Sequence, residues 1–210
     1  IDIYLMIEQG IRGGTSMISH RYARANNKYM SNYDKNKESS YISYWDANNL
    51  YALAMILKLP YKDIKWLLNP NIINEEFIKN YKDKDDIGYI IKCDLEYPKE
   101  LHDLHNNYPL AVENKTISYE ELSPYQKNQI ETHNEKHNDK IKKLIPNLYD
   151  KKEYVCHISN LKYYLEKGLK LVKVHQALSF RQSEWLKPYI DFNTDRRKVS
   201  KNEFEKDLYK

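Results

Sequence analysis

This sequence has no long apolar run, little cysteine and no dominant charge of one sign. No apolar stretch approaches the ~20 residues that a membrane-spanning helix needs, so no membrane partner is expected. Two cysteines, Cys93 and Cys156, are too few for a disulfide framework and favour a reduced intracellular protein, whether nuclear, mitochondrial or cytoplasmic. The 34 basic and 30 acidic residues nearly cancel, and a net charge of +4 alone does not indicate a nucleic-acid partner.

The remaining composition is that of a globular chain with a core. The 210 residues are 41% hydrophobic and 30% charged, and a compact fold of this length buries most of its apolar surface. Residue 1 is isoleucine, and the last stretch, 202–210, has helical character without a glycine or proline to end it. We therefore expect a fragment of a longer chain.

Hydrophobic periodicity predicts a mixed α/β (α+β) fold. Strands are expected over 41–45, 89–97, 154–158 and 169–180. Helices are expected over 15–26, 48–58, 125–143, 159–166, 185–192 and 194–210. Ser159 is the expected N-cap of the fourth of these helices, and Gly168 follows its C-terminus. Residues 61–86 are expected to form a polar, partly helical connection, and 99–150 an irregular polar insertion.

The most informative segment runs from Tyr41 to Tyr51, with the sequence Tyr-Ile-Ser-Tyr-Trp-Asp-Ala-Asn-Asn-Leu-Tyr. It places Asp46 between a β-prone run and a helix, where a carboxylate can hold a metal ion over a cleft. Mg²⁺ takes one or two carboxylates together with substrate phosphates. The alternative is a structural one, in which Asp46 caps the helix.

This segment resembles motif A of family B DNA polymerases, and its Asp-Ala-Asn-Asn-Leu-Tyr form is close to that of protein-primed members from linear plasmids, viruses and Polinton-type elements. The resemblance implies that Asp46 is a catalytic, metal-binding aspartate and that the Ala47 carbonyl helps to ligate the metal. Tyr51 would lie under the incoming sugar, with Asn49 and Leu50 beside the nucleotide. Asn49 and an alanine at position 52 depart from the general motif, which has Ser and Pro there.

Two further segments extend the resemblance. Arg12, Gly13 and Gly14 are similar to the Tyr-x-Gly-Gly motif that touches the template strand, although Ile11 replaces the tyrosine; an ordinary loop is the alternative. Glu205 to Lys210 resembles the opening of motif B, Lys-x-x-x-Asn-Ser-x-Tyr-Gly. On one continuous helix Lys198, Lys206 and Lys210 would share a face that binds triphosphate. Interspersed acidic residues allow a salt-bridged, solvated face instead.

The resemblance implies a DNA polymerase that uses two Mg²⁺ ions, deoxynucleoside triphosphates (dNTPs), a DNA primer–template and possibly a terminal protein as primer. The second metal-binding carboxylate is expected outside this chain. The implied segments are a linker with a template-contact loop (1–40), palm motif A (41–61), an insertion resembling the terminal-protein-contact region (62–150), a return to the palm (151–184) and two fingers helices (185–210). The competing hypothesis is a non-catalytic DNA- or protein-binding remnant of a mobile element.

Overall fold

The computed structural model describes residues 2–20 and 22–209, which form eight α-helices and six β-strands. The helices are α1 (Ile3–Gly10), α2 (Leu50–Met55), α3 (Glu75–Asn80), α4 (His102–His105), α5 (Pro124–Thr132), α6 (Ile158–Glu166), α7 (Lys187–Val199) and α8 (Glu203–Leu208). The strands are β1 (Leu59–Trp66), β2 (Ile87–Glu96), β3 (Glu113–Thr116), β4 (Lys142–Ile145), β5 (Lys151–His157) and β6 (Lys170–Ser183). None of the helices in the described residues has the length and apolar character that crossing a bilayer requires.

The chain divides into two compact units. Unit 1 comprises Ile1–Met17 and Asp63–Phe180, and unit 2 comprises Ile18–Lys62 and Arg181–Lys210. The main sheet has the strand order β1-β6-β2-β5, and β2 pairs antiparallel with β5. A second antiparallel pair joins β3 to β4. The mixed α/β class with an antiparallel sheet, predicted from the periodicity, is confirmed.

The apolar core lies on both faces of this sheet. On one face Ile91, Cys93 and Leu95 of β2 pack with residues of β5 and α6. On the other face α1 inserts the fully buried Met6 against Val155 and Leu178. Alternation along β2 produces this division, because successive side chains of a strand point to opposite faces. Every apolar side chain that is buried in the described residues belongs to unit 1.

The strands predicted over 89–97, 154–158 and 169–180 are confirmed as β2, β5 and β6. Helix α6 is also confirmed, and Gly168 follows it with a φ of +101°. Its cap is not the predicted Ser159, because His157 occupies the N-cap position and its side chain accepts a hydrogen bond from the Ser159 N–H. Histidine is an uncommon cap, which is why the sequence favoured the serine.

The helix predicted over 15–26 and the strand predicted over 41–45 are wrong. Residues 15–20 and 22–25 form no helix, and residues 41–47 form no strand. A strand exists only where a neighbour supplies its hydrogen bonds, and in the described residues this stretch is preceded by one isolated bridge between Asn26 and Ser40. Its β-prone side chains are exposed instead.

Four other boundaries differ from prediction. The helix expected over 125–143 ends at Thr132, and the connection expected over 61–86 begins inside β1. Pro60 lies within β1, an edge strand, where a missing backbone N–H is tolerated. The helix expected over 194–210 is instead the end of α7 followed by a break and the short α8. Helix α2 forms as predicted but covers only Leu50–Met55.

Candidate nucleotide site

Asp46 lies in an irregular segment immediately before a turn into α2. The turn is made by Asn48 and Asn49, and Asn49 adopts a left-handed conformation with a φ of 57° at the N-cap of the helix. Asparagine is among the few residues other than glycine that visit this region readily. Asn49 therefore has a local conformational role in positioning the segment that carries Asp46.

The side chain of Asp46 is exposed, and no contact in the described residues uses its carboxylate. Across residues 2–20 and 22–209 it has no hydrogen-bond donor and no ion-pair partner. The helix-capping alternative is wrong, because Asn49 is the cap residue and makes no side-chain capping bond. Its neighbours are exposed too: Trp45 is 89% exposed and Tyr51, in the first turn of α2, is 85% exposed.

Unit 2 places the helix after Asp46 beside the helices that carry the predicted lysines. Helix α2 contacts α7, and α7 contacts α8. The helix that follows residues 41–49 and the helix that carries Lys198 thus adjoin each other in one unit. The break at 200–202 puts Lys198 and Lys206 on different helices, so the shared face inferred from their spacing of eight does not arise from one continuous helix.

Lys198 is exposed and Lys206 is half-buried, and each is paired with a carboxylate of its own helix. Lys198 lies 3.0 Å from Asp195, and Lys206 lies 2.6 Å from Glu203. The hydrogen bond from Lys206 holds the pKa of Glu203 below its ordinary value. Exposed ion pairs are weak, so a phosphate can replace these carboxylates at little cost. Lys210 lies outside the described residues.

Arg12 is anchored within unit 1. Its guanidinium donates to the carbonyls of Gly10 and Val155, at 3.2 and 2.6 Å, and its centre lies 4.0 Å from the centroid of the Tyr154 ring. Gly13 and Gly14 are exposed; neither has a positive φ, and a Cβ at either position would meet no atom within 4 Å. The chain itself therefore does not require glycine at these two positions, and their template contact stays a prediction.

The residues present can supply part of a metal site. No group of three or more His, Cys, Asp or Glu side chains in the described part of the chain is arranged to hold a metal ion. One exposed carboxylate and an adjacent carbonyl fit a Mg²⁺ ion that takes its other ligands from phosphates and water. Asp46 and Ala47 are compatible with such a role.

Two arrangements were not found by sequence analysis. The ammonium of Lys151 is fully buried and binds Glu113 at 3.0 Å and the side-chain oxygen of Asn147 at 2.5 Å. Burial lowers the pKa of Lys151, although the hydrogen bond that its ammonium donates to Glu113 opposes that shift. The aromatic side chains at 185, 189 and 192, whose spacing predicted an amphipathic helix, are exposed. Spacing alone does not reveal which face of a helix is covered.

Comparison with known proteins by sequence identifies no family for this chain. No protein-family model matches the chain, and no curated protein matches it. Among solved structures, a phi29 DNA polymerase complexed with primer-template DNA is similar at a TM-score of 0.37 and 17% sequence identity. The match covers 78% of this chain, which spans 22% of the polymerase chain, and the similarity is weak.

Proposed function

We propose that this chain forms part of the nucleotidyl-transfer centre of a DNA polymerase, of the protein-primed family B type that residues 46–51 resemble. The observation that carries the proposal is the state of Asp46. Its carboxylate is exposed, lacks any partner in the described residues and is not a helix cap. A carboxylate without a structural role, in a sequence resembling motif A, is best explained by a ligand.

In the proposed reaction the 3′-oxygen of a primer attacks the α-phosphorus of a dNTP. The new P–O bond forms as the bond to the bridging oxygen of the β-phosphate breaks, pyrophosphate leaves, and the hydroxyl proton passes to water. Bound Mg²⁺ would neutralise the charge that develops on the phosphoryl oxygens. Asp46 and the Ala47 carbonyl would hold that ion, with the second carboxylate supplied from outside this chain.

The remaining predicted residues bind and orient the substrates in this proposal. Tyr51 would support the sugar of the incoming nucleotide, next to Asn49 and Leu50. Lys198 and Lys206 would exchange their present carboxylate partners for triphosphate oxygens, and Lys210 would bind the same oxygens, as point charges matched to anions. The Arg12-Gly13-Gly14 loop would touch the template strand, and residues 62–150 would face a terminal protein whose side-chain hydroxyl serves as the first primer.

The test is nucleotide binding to the 210-residue chain. Binding is measured from the fluorescence anisotropy of mant-labelled dATP, in the presence of Mg²⁺ or of EDTA. We expect a Mg²⁺-dependent component that Asp46→Asn weakens about tenfold or more, since it removes a charged ligand worth over 1 kcal/mol. Lys198→Met and Lys206→Met should weaken binding under both conditions, because they remove phosphate contacts rather than the metal ligand.

Asp139→Asn is the matched control, since Asp139 is another exposed aspartate in an irregular segment. Equal loss in both Asp→Asn variants, or no Mg²⁺-dependent component, would contradict the proposal and favour a non-catalytic binding module. We also expect no primer extension by the chain alone, because the described residues hold no complete metal site. Incorporation that depends on Asp46 would disprove that expectation.

A further inference from the structure

The outward side of α7 carries a row of exposed large side chains. Trp185, just before the helix, is followed by Tyr189, Phe192, Arg196 and Val199 at intervals of four, three, four and three, so that they lie along one stripe. The three aromatic side chains are 54%, 65% and 54% exposed. The more buried side chains of α7, at 187, 190, 193 and 194, lie on the opposite side of the helix from this row.

The charges beside this aromatic stripe are unevenly neutralised. Helix α7 carries four basic and two acidic side chains. Lys187 is paired with Asp191 at 3.0 Å, and Lys198 with Asp195 at 3.0 Å, which leaves Arg196 and Arg197 as its excess positive charge. The guanidinium of Arg196 lies 5.3 Å from the centroid of the Phe192 ring. Flat rings and the guanidinium of Arg196 thus occur together on one exposed surface, whereas Arg197 lies outside the stripe.

We propose that the aromatic stripe of α7 is a stacking platform for single-stranded nucleic acid. Unpaired bases stack on aromatic rings and on guanidinium planes, while neighbouring basic groups bind the phosphates. The distance from position 185 to 196 is about 16 Å along a helix, enough for two or three bases. This platform requires neither Asp46 nor a metal ion, and it lies beyond the nucleotide site proposed above.

Two other occupants fit the stripe less well. A second copy of the chain would bring two Arg196 side chains into one apolar seam, and the stripe covers about two heptads where a stable coiled coil needs three or four. Duplex nucleic acid has its bases already stacked on one another, so the rings would have no base faces to meet. Single strands offer both free base faces and negative charge.

The test is binding of fluorescein-labelled oligothymidine and oligouridine to the 210-residue chain in EDTA, followed by anisotropy. Tyr189→Ala and Phe192→Ala should each weaken binding about 5- to 100-fold. Phe192→Leu keeps an apolar side chain of similar size without the ring, and it should lose as much as Phe192→Ala. An oligonucleotide with abasic sites should bind as weakly as these variants and should be insensitive to Phe192→Ala.

The matched control is Tyr163→Ala on α6. Tyr163 is 49% exposed and has the ammonium of Lys167 at 5.5 Å from its ring centroid, an aromatic–cation pair four residues apart like that of Phe192 and Arg196. The Tyr163→Ala variant should bind the oligonucleotides with the same affinity as the unmodified chain. Equal affinity for abasic and base-containing strands, an equal loss in Tyr163→Ala, or a change of sedimentation in Phe192→Ala without any oligonucleotide binding would each overturn the proposal. Failure of Mg²⁺-dependent dATP binding would leave these measurements unaffected.

Discussion

Glycine at position 168 is favoured by the backbone conformation and is closely approached by a leucine side chain. Its φ of +101° lies where side-chain-bearing residues are strained, and a Cβ there would lie 2.9 Å from the Cδ1 of Leu101. We expect Gly168→Ala to lower the free energy of unfolding by about 1–3 kcal/mol, which urea denaturation followed by circular dichroism will measure.

Gly13→Ala serves as the comparison for that variant. Its backbone needs no glycine and its surroundings are open, so its unfolding free energy should change by less than about 0.5–1 kcal/mol, in the stabilising direction if at all. A loss at position 13 as large as that at position 168 would show that the strain at Gly168 is not the cause.

For single residues, the sequence predicted which backbone conformation a residue adopts better than it predicted which groups surround its side chain. It predicted Gly168 after a helix because glycine is common there. It could not show that the Asp46 carboxylate lacks a partner, because the groups that pair with a side chain come from distant parts of the chain. Arg12 illustrates this: its acceptor on Val155 is 143 residues away.

At the scale of the element, the N-cap of α6 is a histidine, so the capping hydrogen bond depends on the protonation state of its imidazole. The Nδ1 of His157 accepts a hydrogen bond from the Ser159 N–H, at 3.2 Å, and only a neutral imidazole can accept. Burial lowers the pKa of His157, although the charge of Asp83 opposes the shift in part. A depressed folded-state pKa contributes stability that is complete above the unfolded pKa of about 6.5 and is lost as the pH falls through the folded value.

We therefore expect the unfolding free energy to fall as the pH is lowered from neutral into the acid range, and to fall less steeply in His157→Asn. Asparagine keeps a capping oxygen but has no proton to gain in this range. Urea denaturation at a series of pH values measures both slopes. His133→Asn, at an exposed position, should retain the original slope; identical slopes in all three proteins would contradict the assignment to His157.

Elements were predictable where a strand or helix buries one face against the core. Alternation along β2 identified that strand, whereas β5 and β6 were predicted from their strand-forming residues. The run at 41–45 has strand-forming residues but no neighbouring strand, and no periodicity can supply one. The break between α7 and α8 was missed for a related reason. Asn202 accepts from the Glu205 N–H and begins α8, yet asparagine is also ordinary within an exposed helix.

At the scale of the whole molecule, the two units differ in how they are stabilised. Unit 1 holds all the buried apolar side chains of the described residues. The candidate nucleotide site and the aromatic stripe both belong to unit 2, and most of the aromatic side chains described in that unit are exposed. Regions with few buried apolar contacts open at a lower free energy than a packed core. The functional candidates therefore lie in the less stable unit.

Helices α6 and α7 allow a direct test of that difference, because both are long enough to follow by peptide mass. Helix α6 buries Ile158 and Leu161, whereas α7 buries none of its described side chains. In native-state hydrogen exchange at low urea concentrations, α7 and the 41–51 segment should exchange through small openings well before β2, β5 and α6. Simultaneous exchange of α6 and α7 would show a single cooperative unit and contradict the division. Addition of oligothymidine should slow exchange in α7 alone if its aromatic stripe binds single strands, because a ligand stabilises only the region whose folded form it binds.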